Sequence, residues 1–270
     1  MIPKRSVLIV VCTALVALCN AQTRTYIALG DSVAWGYQPN NVTRSAGDKG
    51  YVKIYADWLG TQQGIRPRLV NLGIPGETTA SFSNTSEVGG LLNSNYPLLF
   101  RKSQADTFKD KVAAERTAGR TITEVTFALG ANDLLDMQTT QFLALPYLEQ
   151  VAIVEQTLAA AQPRLNNALT LIRQQCPAAQ IKVPGYYNPY GAFPGTAQNV
   201  ISNYAIPRLN ETLFGLAKRM KLPFARTYQA FVGQELALTW IGEDDVHPRD
   251  PGYALIGQAV IAAKYLYTLP

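Results

Sequence analysis

Short runs of consecutive apolar residues alternate along this chain with longer segments in which apolar residues recur every three or four positions. A short apolar run bounded by polar turns is typical of a strand that is buried on both faces. The pattern predicts five such strands: Thr25–Leu29, Arg68–Leu72, Glu124–Leu129, Gln180–Val183 and Pro223–Ala225.

The segments between these strands have helical spacing. The predicted helices are Tyr51–Leu59, Ser103–Thr117, Tyr147–Gln175, Ile201–Met220 and Gly252–Leu266. Pro163 is predicted to kink or restart the longest of them, in which one packed face is marked by Leu148, Val151, Val154, Leu158 and Ala161. Strands that alternate with helices imply parallel strands joined by crossovers. The predicted fold is therefore an α/β, three-layer α/β/α sandwich with a mostly parallel, five-stranded, flavodoxin-like sheet.

The first 21 residues differ from the rest of the chain. Lys4 and Arg5 precede an apolar run, Val7–Leu18, and small side chains follow at Cys19 and Ala21. This order predicts a secretory signal peptide cleaved after Ala21, because the apolar run is shorter than a membrane span. We therefore expect a secreted or periplasmic protein, with a lipid anchor at Cys19 as the alternative. Residues 22–270 are long enough for one α/β domain with a full core.

Composition excludes several classes of protein. The chain is 47% hydrophobic and 16% charged, as expected of a globular protein. Its formal net charge of +5 is spread without basic clusters, so no nucleic-acid partner is predicted. Cys12 and Cys19 lie in the leader, which leaves Cys176 without a partner for an internal disulfide. No cluster of Cys and His could form a structural zinc site. We also expect the protein to be a monomer without a stable membrane span.

Polar residues and glycines gather where the predicted strands end. Gly30-Asp31-Ser32 follows the first strand, Asn71–Glu77 the second, Gly130–Asp133 the third and Pro184–Tyr190 the fourth. Ligands of parallel α/β sheets bind outside the carboxyl ends of the strands, so these loops are the expected site. Ser32 has two interpretations here. It either caps a following helix or is a nucleophile whose hydroxyl is exposed at the rim of the sheet.

His247 is the only histidine, so any chemistry that needs an imidazole must use it. It lies in a loop directly before the last predicted helix. Asp244 stands three residues upstream, a spacing that lets a carboxylate reach one ring nitrogen while the other takes a proton from a hydroxyl. Asp245 is expected to face solvent and is the alternative orienting acid.

A serine nucleophile also needs hydrogen-bond donors aimed at the oxyanion that forms on attack. The backbone N–H of Gly76 and the side-chain amide of Asn132 are donors of that kind, on two different strand-end loops. Each also has a plain structural interpretation, because Gly76 could simply turn the chain and Asn132 could simply cap a helix.

Four segments in this order carry a resemblance to a known family: Gly30-Asp31-Ser32, Asn71-x-Gly-x-Pro-Gly76, Gly130-x-Asn132-Asp133 and Asp244-x-x-His247-Pro248. They resemble the four sequence blocks of the SGNH hydrolases, also called GDSL esterases and lipases, and the resemblance runs from Tyr26 to about Gly257. One small departure is Val33, which stands where the family name has Leu.

The resemblance implies a catalytic triad of Ser32 as nucleophile, His247 as general base and later acid, and Asp244 as the acid that orients it. It further implies an oxyanion hole made by the Ser32 N–H, Gly76 and Asn132. Asp31 and Asp133 are expected to brace their loops. The implied reaction is ester hydrolysis through an acyl-enzyme, without a metal or an organic cofactor.

The substrate is less constrained. An aromatic-rich loop with Tyr186, Tyr187 and Tyr190 is a candidate substrate-binding wall. We expect a lipolytic enzyme or general carboxylesterase, with a glycan O-acetylesterase as the alternative because tyrosines also stack on sugars. A competing function from another class is a non-catalytic domain that binds a phosphate at a helix N-terminus. The Asp244–His247 pair argues against it, because phosphate binding does not require that pair.

Overall fold

The computed structural model describes residues 24–40, 46–84, 102–135 and 138–264. Within these ranges five parallel strands form one sheet in the order β2-β1-β3-β4-β5. The strands are β1 (Arg24–Gly30), β2 (Arg68–Asn71), β3 (Thr121–Ala128), β4 (Gln180–Pro184) and β5 (Phe224–Ala225). All five predicted strands are therefore present, in a parallel sheet.

Helices cover both faces of this sheet. Those that the structure describes are α1 (Ser32–Trp35), α2 (Gly50–Gln63), α3 (Gln104–Thr117), α4 (Ala131–Leu135), α5 (Thr140–Leu143), α6 (Tyr147–Gln175), α7 (Ala197–Arg219), α8 (Tyr228–Phe231), α9 (Glu235–Leu238) and α10 (Asp250–Ala262). Helices α2 and α10 pack together on one face, whereas α3, α6 and α7 cover the other. The three-layer α/β/α sandwich is confirmed.

The structure bears on two expectations for α6. The predicted restart at Pro163 is absent, because the helix continues through this residue although proline cannot donate a backbone hydrogen bond. Leu148, expected on the packed face, is 76% exposed because it lies in the first turn, at the end of the helix. Val154 and Leu158 farther along the same face are buried, as expected.

Some expectations fall outside the described residues. These are the predicted signal peptide with its cleavage point, both leader cysteines, and the predicted end of the last helix at Leu266. Within the described ranges, α10 ends at Ala262 and no helix is long and apolar enough to cross a bilayer. Cys176 is a free, buried thiol that follows α6, as expected of a cysteine without a disulfide partner.

Strand β1 ends at a glycine, and no residue with a side chain could take its place. Gly30 closes β1 with a φ of 135°, and a Cβ there would lie 1.9 Å from the carbonyl oxygen of Ala128 in β3. The next residue donates its backbone N–H to that same oxygen at 3.1 Å. The chain therefore leaves the sheet in close contact with β3, and this contact fixes where the following residue, Ser32, emerges.

Candidate active site

Ser32 is the first residue of the short helix α1, directly beyond the end of β1. The cap of this helix is Asp31, whose Oδ1 atom accepts the Val33 N–H at 2.9 Å. The interpretation of Ser32 as a helix cap is therefore wrong, and the bracing role expected of Asp31 is confirmed. The Ser32 hydroxyl is directed to another partner.

That partner is His247, from the loop before α10. The His247 Nε2 atom lies 2.7 Å from Ser32 Oγ. The Nδ1 atom lies 2.7 Å from Asp245 Oδ1, and the same oxygen accepts the His247 backbone N–H at 2.8 Å. A carboxylate only accepts hydrogen bonds, so Nδ1 carries the ring hydrogen and Nε2 presents its lone pair to the Ser32 hydroxyl. This is the arrangement that activates a serine nucleophile.

The acid beside His247 is Asp245 rather than Asp244, which corrects the sequence-based prediction. Asp244 is exposed and has a positive φ of 59°, where the chain turns after a 3₁₀ helix, Ile241–Glu243. An aspartate readily bonds the backbone N–H two residues ahead of it. Asp245 makes that bond to His247, and the bond brings its carboxylate within reach of the ring. The acid that contacts the imidazole therefore lies two residues before His247, and not three.

The loop that carries His247 is held on several sides. The Trp240 N–H donates to the His247 carbonyl at 2.9 Å, and the Tyr187 hydroxyl donates to the Val246 carbonyl at 2.8 Å. The Tyr37 ring lies against the imidazole, with ring centroids 4.4 Å apart. The imidazole is thus oriented toward Ser32 by contacts within the protein itself.

Two carboxylates act on this imidazole. Burial alone would raise the pKa of Asp245, but its hydrogen bonds and charge interaction with His247 bring that pKa below its usual range. Asp31 is 1% exposed, and burial raises its pKa to about 6 against the hydrogen bonds from Tyr186 and Val33 and the attraction of His247. In both carboxyls burial raises the pKa, and the interaction with His247 lowers it.

The two predicted oxyanion donors lie on neighbouring loops. Pro75 and Gly76 form the centre of a turn closed by the Glu77 N–H on the Ile74 carbonyl at 3.0 Å, and Gly76 has a φ of 78°. Proline followed by a residue with positive φ is typical of a type II turn, whose closing bond does not use the Gly76 N–H. The Asn132 Nδ2 atom, in α4, donates to the Glu77 carbonyl at 2.8 Å. The structure therefore ties Asn132 to the turn that contains Gly76.

A cavity of about 40 Å³ opens beside Ser32. Its polar wall includes Ser32, Asn132 and His247, and its apolar wall includes Leu134, Ala205 and Ile206. Gly76 lies outside this lining. One water needs about 10–15 Å³ of such space, so the cavity has room for about three water-sized groups.

The three predicted substrate-binding tyrosines all line this cavity. The hydroxyls of two are already used within the protein: Tyr186 donates to Asp31 Oδ2 at 2.5 Å, and Tyr187 donates to the His247 loop. These two residues are buried, whereas Tyr190 is partly exposed. Tyr186 and Tyr187 can therefore offer ring surface to a substrate while their hydroxyls hold the loops of the site.

Several polar groups around the site leave no signal in the sequence. Gln104, 1% exposed, bonds both backbone groups of Gly30, and the carboxyl of Glu77 is likewise buried. Gln138 lines the cavity, and its Oε1 atom is buried without a hydrogen-bond partner among the described residues. These contacts join residues far apart in sequence, so no local spacing could have indicated them.

Comparison with known proteins places this geometry in context. A search of curated proteins found no match. Among solved structures, the lipase Lip_vut3 from a goat rumen metagenome aligns with a TM-score of 0.61 at 21% identity, over 90% of this chain and 98% of the other. Phospholipase A1 from Streptomyces albidoflavus aligns with a TM-score of 0.57 at 20% identity, over 88% and 97%. The acetylxylan esterase Axe2 from Geobacillus stearothermophilus gives 0.53 at 18% identity, over 92% and 99%.

The family itself is shown by a match along most of the chain. The model of the GDSL-like lipase/acylhydrolase family matches residues 28–255, a range that contains Ser32, Gly76, Asn132 and His247. This match sets aside the alternative of a non-catalytic binding domain. The chain belongs to the GDSL-like lipase/acylhydrolase family and is an ester-hydrolysing serine hydrolase.

Proposed function

We propose that Ser32, His247 and Asp245 carry out the hydrolysis. The Ser32 Oγ atom attacks the carbonyl carbon of the ester while its proton passes to His247 Nε2. Asp245 holds the imidazole and stabilises its positive charge. When the tetrahedral intermediate collapses, the alcohol leaves with the proton from Nε2 and the acyl group stays on Ser32. Water then repeats the sequence and releases the acid. The 2.7 Å contact between Nε2 and Oγ carries this proposal.

The negative oxygen of the intermediate would be bound by the backbone N–H groups of Ser32 and Gly76 and by the Asn132 amide. One hydrogen of Asn132 Nδ2 is engaged by the Glu77 carbonyl. The amide carries a second hydrogen that can be aimed at the oxyanion. Donors fixed in place before the reaction contribute most to such catalysis.

For the substrate we propose an ester with a short acyl group. The size of the cavity beside Ser32, with room for about three water-sized groups, matches an acetyl group. This favours a general carboxylesterase over a lipase that places a long acyl chain in this cavity. The same observation supports a second candidate, a glycan O-acetylesterase, whose acyl group is also acetyl. The structural likeness to an acetylxylan esterase is compatible with it.

We also propose that residues 22–270 form one catalytic domain that acts as a monomer outside the cytoplasm. The leader pattern at residues 1–21 supports export, and the family match within 28–255 supports a single domain. Mass spectrometry of the exported protein should find Gln22 as its first residue. Retention of residue 1 on the exported protein would contradict the cleavage.

The reaction is tested with nitrophenyl acetate and two serine variants. Ser202 lines the same cavity, and its Oγ donates to the Asn199 carbonyl, so it is a matched control. Ser32→Ala should lower kcat by at least about 10³-fold, whereas Ser202→Ala should stay within about threefold of the wild type. Equal rates for wild type and Ser32→Ala would refute the proposal.

The substrate is tested by comparing acyl chains and alcohols. Rates for acetyl, butyryl and long-chain nitrophenyl esters should fall with chain length if the acyl group occupies the cavity. Release of acetate from acetylated xylan, measured against simple acetate esters, then separates the two candidates. Faster turnover of long-chain esters would contradict the short-acyl proposal.

A further inference from the structure

Glu77 is a buried acid in the loop after β2 that the reaction sequence above does not use. It is 1% exposed. The Ser81 hydroxyl donates to its Oε1 atom, and the Gln104 Nε2 atom donates to its Oε2 atom at 3.1 Å. Burying a carboxyl group costs free energy unless hydrogen bonds compensate for the lost hydration. The burial of Glu77 beside the site therefore suggests that this residue has a specific role.

Gln104 links this carboxyl to the strand end that carries the nucleophile. Its Oε1 atom accepts the Gly30 N–H at 2.8 Å, and its Nε2 atom donates to the Gly30 carbonyl at 2.8 Å. The Gly30 carbonyl also accepts the Ile74 N–H at 2.9 Å. Because Gly30 lies two residues before Ser32, the Ser32 backbone is fixed to the loop of Glu77 through Gln104 and Ile74.

The backbone of Glu77 reaches the other two donors. Its N–H closes the turn whose third residue is Gly76, and its carbonyl holds the Asn132 amide at 2.8 Å. The adjoining segments are braced as well, because Thr79 donates its N–H and hydroxyl to the two Asp133 carboxylate oxygens at 2.9 Å and 2.6 Å. Side chain and backbone of Glu77 therefore connect all three segments that carry oxyanion donors.

We infer that Glu77 is a positioning residue that sets the placement of the Ser32, Gly76 and Asn132 donors relative to one another. The inference rests on the oxyanion hole of the proposed function. Donors act well only within about 2.7–3.1 Å of the oxyanion. A displacement of about 1 Å in a positioned group can reduce the rate about 10²-fold. The carboxyl, through its bonds to Gln104 and Ser81, holds in place the residue whose backbone contacts the Gly76 turn and Asn132, and it thereby guards against such displacement.

The electrostatic surroundings explain why the carboxyl can stay buried. Burial, together with the nearby Asp31 and Asp133 carboxylates, raises the pKa of Glu77 to about 7 against the hydrogen bonds from Ser81 and Gln104. When the carboxyl is protonated, it still accepts from Gln104 and its O–H can donate to the Ser81 hydroxyl oxygen, because that hydroxyl can turn to donate to the Thr78 carbonyl instead. Glutamine in its place can make both bonds as well, so Glu77→Gln is the conservative variant.

Glu124 provides a matched control. It is also a buried glutamate, 7% exposed, whose pKa burial raises to about 7. Its carboxylate accepts the Tyr55 hydroxyl at 2.8 Å, on the α2 side of the sheet, and it does not line the cavity. Glu124→Ala therefore disturbs the protein interior to a similar extent without reaching the donors.

The experiment measures kcat and KM for nitrophenyl acetate, corrected for the folded fraction, and the affinity of a trifluoromethyl ketone that forms a tetrahedral adduct with the serine. Glu77→Ala should lower kcat about 10²-fold and weaken the inhibitor equally, with KM within about threefold. Glu77→Gln should stay within about fivefold of the wild type, and Glu124→Ala within about threefold.

An unchanged kcat in Glu77→Ala, or an equal loss in Glu124→Ala, would overturn the inference. If Glu77→Ala does not fold, Ser81→Ala replaces it, because this variant removes one hydrogen bond to the carboxyl. It should lower kcat about fivefold at constant KM, and an unchanged kcat would again overturn the inference. Ser32→Ala is run in parallel. If it retained wild-type turnover, the proposed function would fail independently of Glu77.

Discussion

Replacing Asp245 by asparagine would remove one negative charge beside His247 while leaving an oxygen in the same place. A single oxygen, Oδ1, accepts both the ring Nδ1–H and the backbone N–H of His247. The amide oxygen of asparagine can accept both bonds too. The ring should therefore keep its orientation and its tautomer, and the variant measures the contribution of the charge alone.

The size of that contribution follows from the geometry. The two side chains of the pair are 15% and 21% exposed, so solvent screens the charges only in part. Two unit charges about 4 Å apart interact by about 4 kcal/mol at an effective dielectric of about 20. The positive imidazole exists only after proton transfer, so this interaction stabilises the transition state. The expected loss in kcat/KM is about 10² to 10³-fold, with Asp31 compensating in part.

The assay is turnover of nitrophenyl acetate by Asp245→Asn, Asp245→Ala and Asp244→Asn. Asp245→Ala should lose more than Asp245→Asn, because it removes the orienting oxygen as well. Asp244 is exposed and has a positive φ, which asparagine adopts readily, so Asp244→Asn should remain within about threefold of the wild type. A larger loss in Asp244→Asn than in Asp245→Asn would refute the reasoning.

Two further predictions concern stability and specificity. Burial raises the pKa of Glu124 in the folded protein from 4.5 to about 7. The contribution of Glu124 to the free energy of unfolding is therefore complete below pH 4.5, the pKa in the unfolded chain, and is lost as the pH rises through about 7. Between about pH 5 and pH 7.5, the free energy of unfolding measured in urea should fall by about 1–3 kcal/mol more in the wild type than in Glu124→Gln. Equal decreases in the two proteins would contradict this. Gln138→Met should lower the preference for a hydroxyacetyl ester over a propionyl ester of the same alcohol about tenfold, because the buried amide oxygen lines the acyl cavity and can accept the hydroxyl of the acyl group; an unchanged preference would contradict this role.

Strand positions were predictable because a strand buried on both faces needs consecutive apolar residues, and such a run is visible in the sequence. Tyr26 to Leu29 are all fully buried, so every position had to be apolar or aromatic. The order of strands and helices then fixed which loops meet at the carboxyl edge of the sheet. The strand ends placed Ser32 at this edge, and the family resemblance paired it with His247; the structure has the two side chains in contact.

The identity of the orienting acid was not predictable in the same way. Asp244 and Asp245 are adjacent and chemically identical, and the choice between them depends on the local backbone, in which Asp244 has a positive φ and Asp245 accepts the His247 backbone N–H. The contacts of Glu77 and Gln104 around the site were not predictable for a different reason. Their hydrogen bonds connect positions 27 and 74 residues apart, so they depend on the tertiary fold and leave no periodic signal.

The contact between Ser32 and His247 joins the first described strand to the loop before the last helix, 215 positions later. The hydroxyl therefore gains its proton acceptor only when nearly the whole chain has been synthesised and has folded. A chain that is truncated before residue 247 carries an ordinary, unreactive serine. Covalent labelling by a serine-directed fluorophosphonate would thus count completely assembled molecules, and it could follow the maturation of this protein in a mixture of folded and unfinished chains.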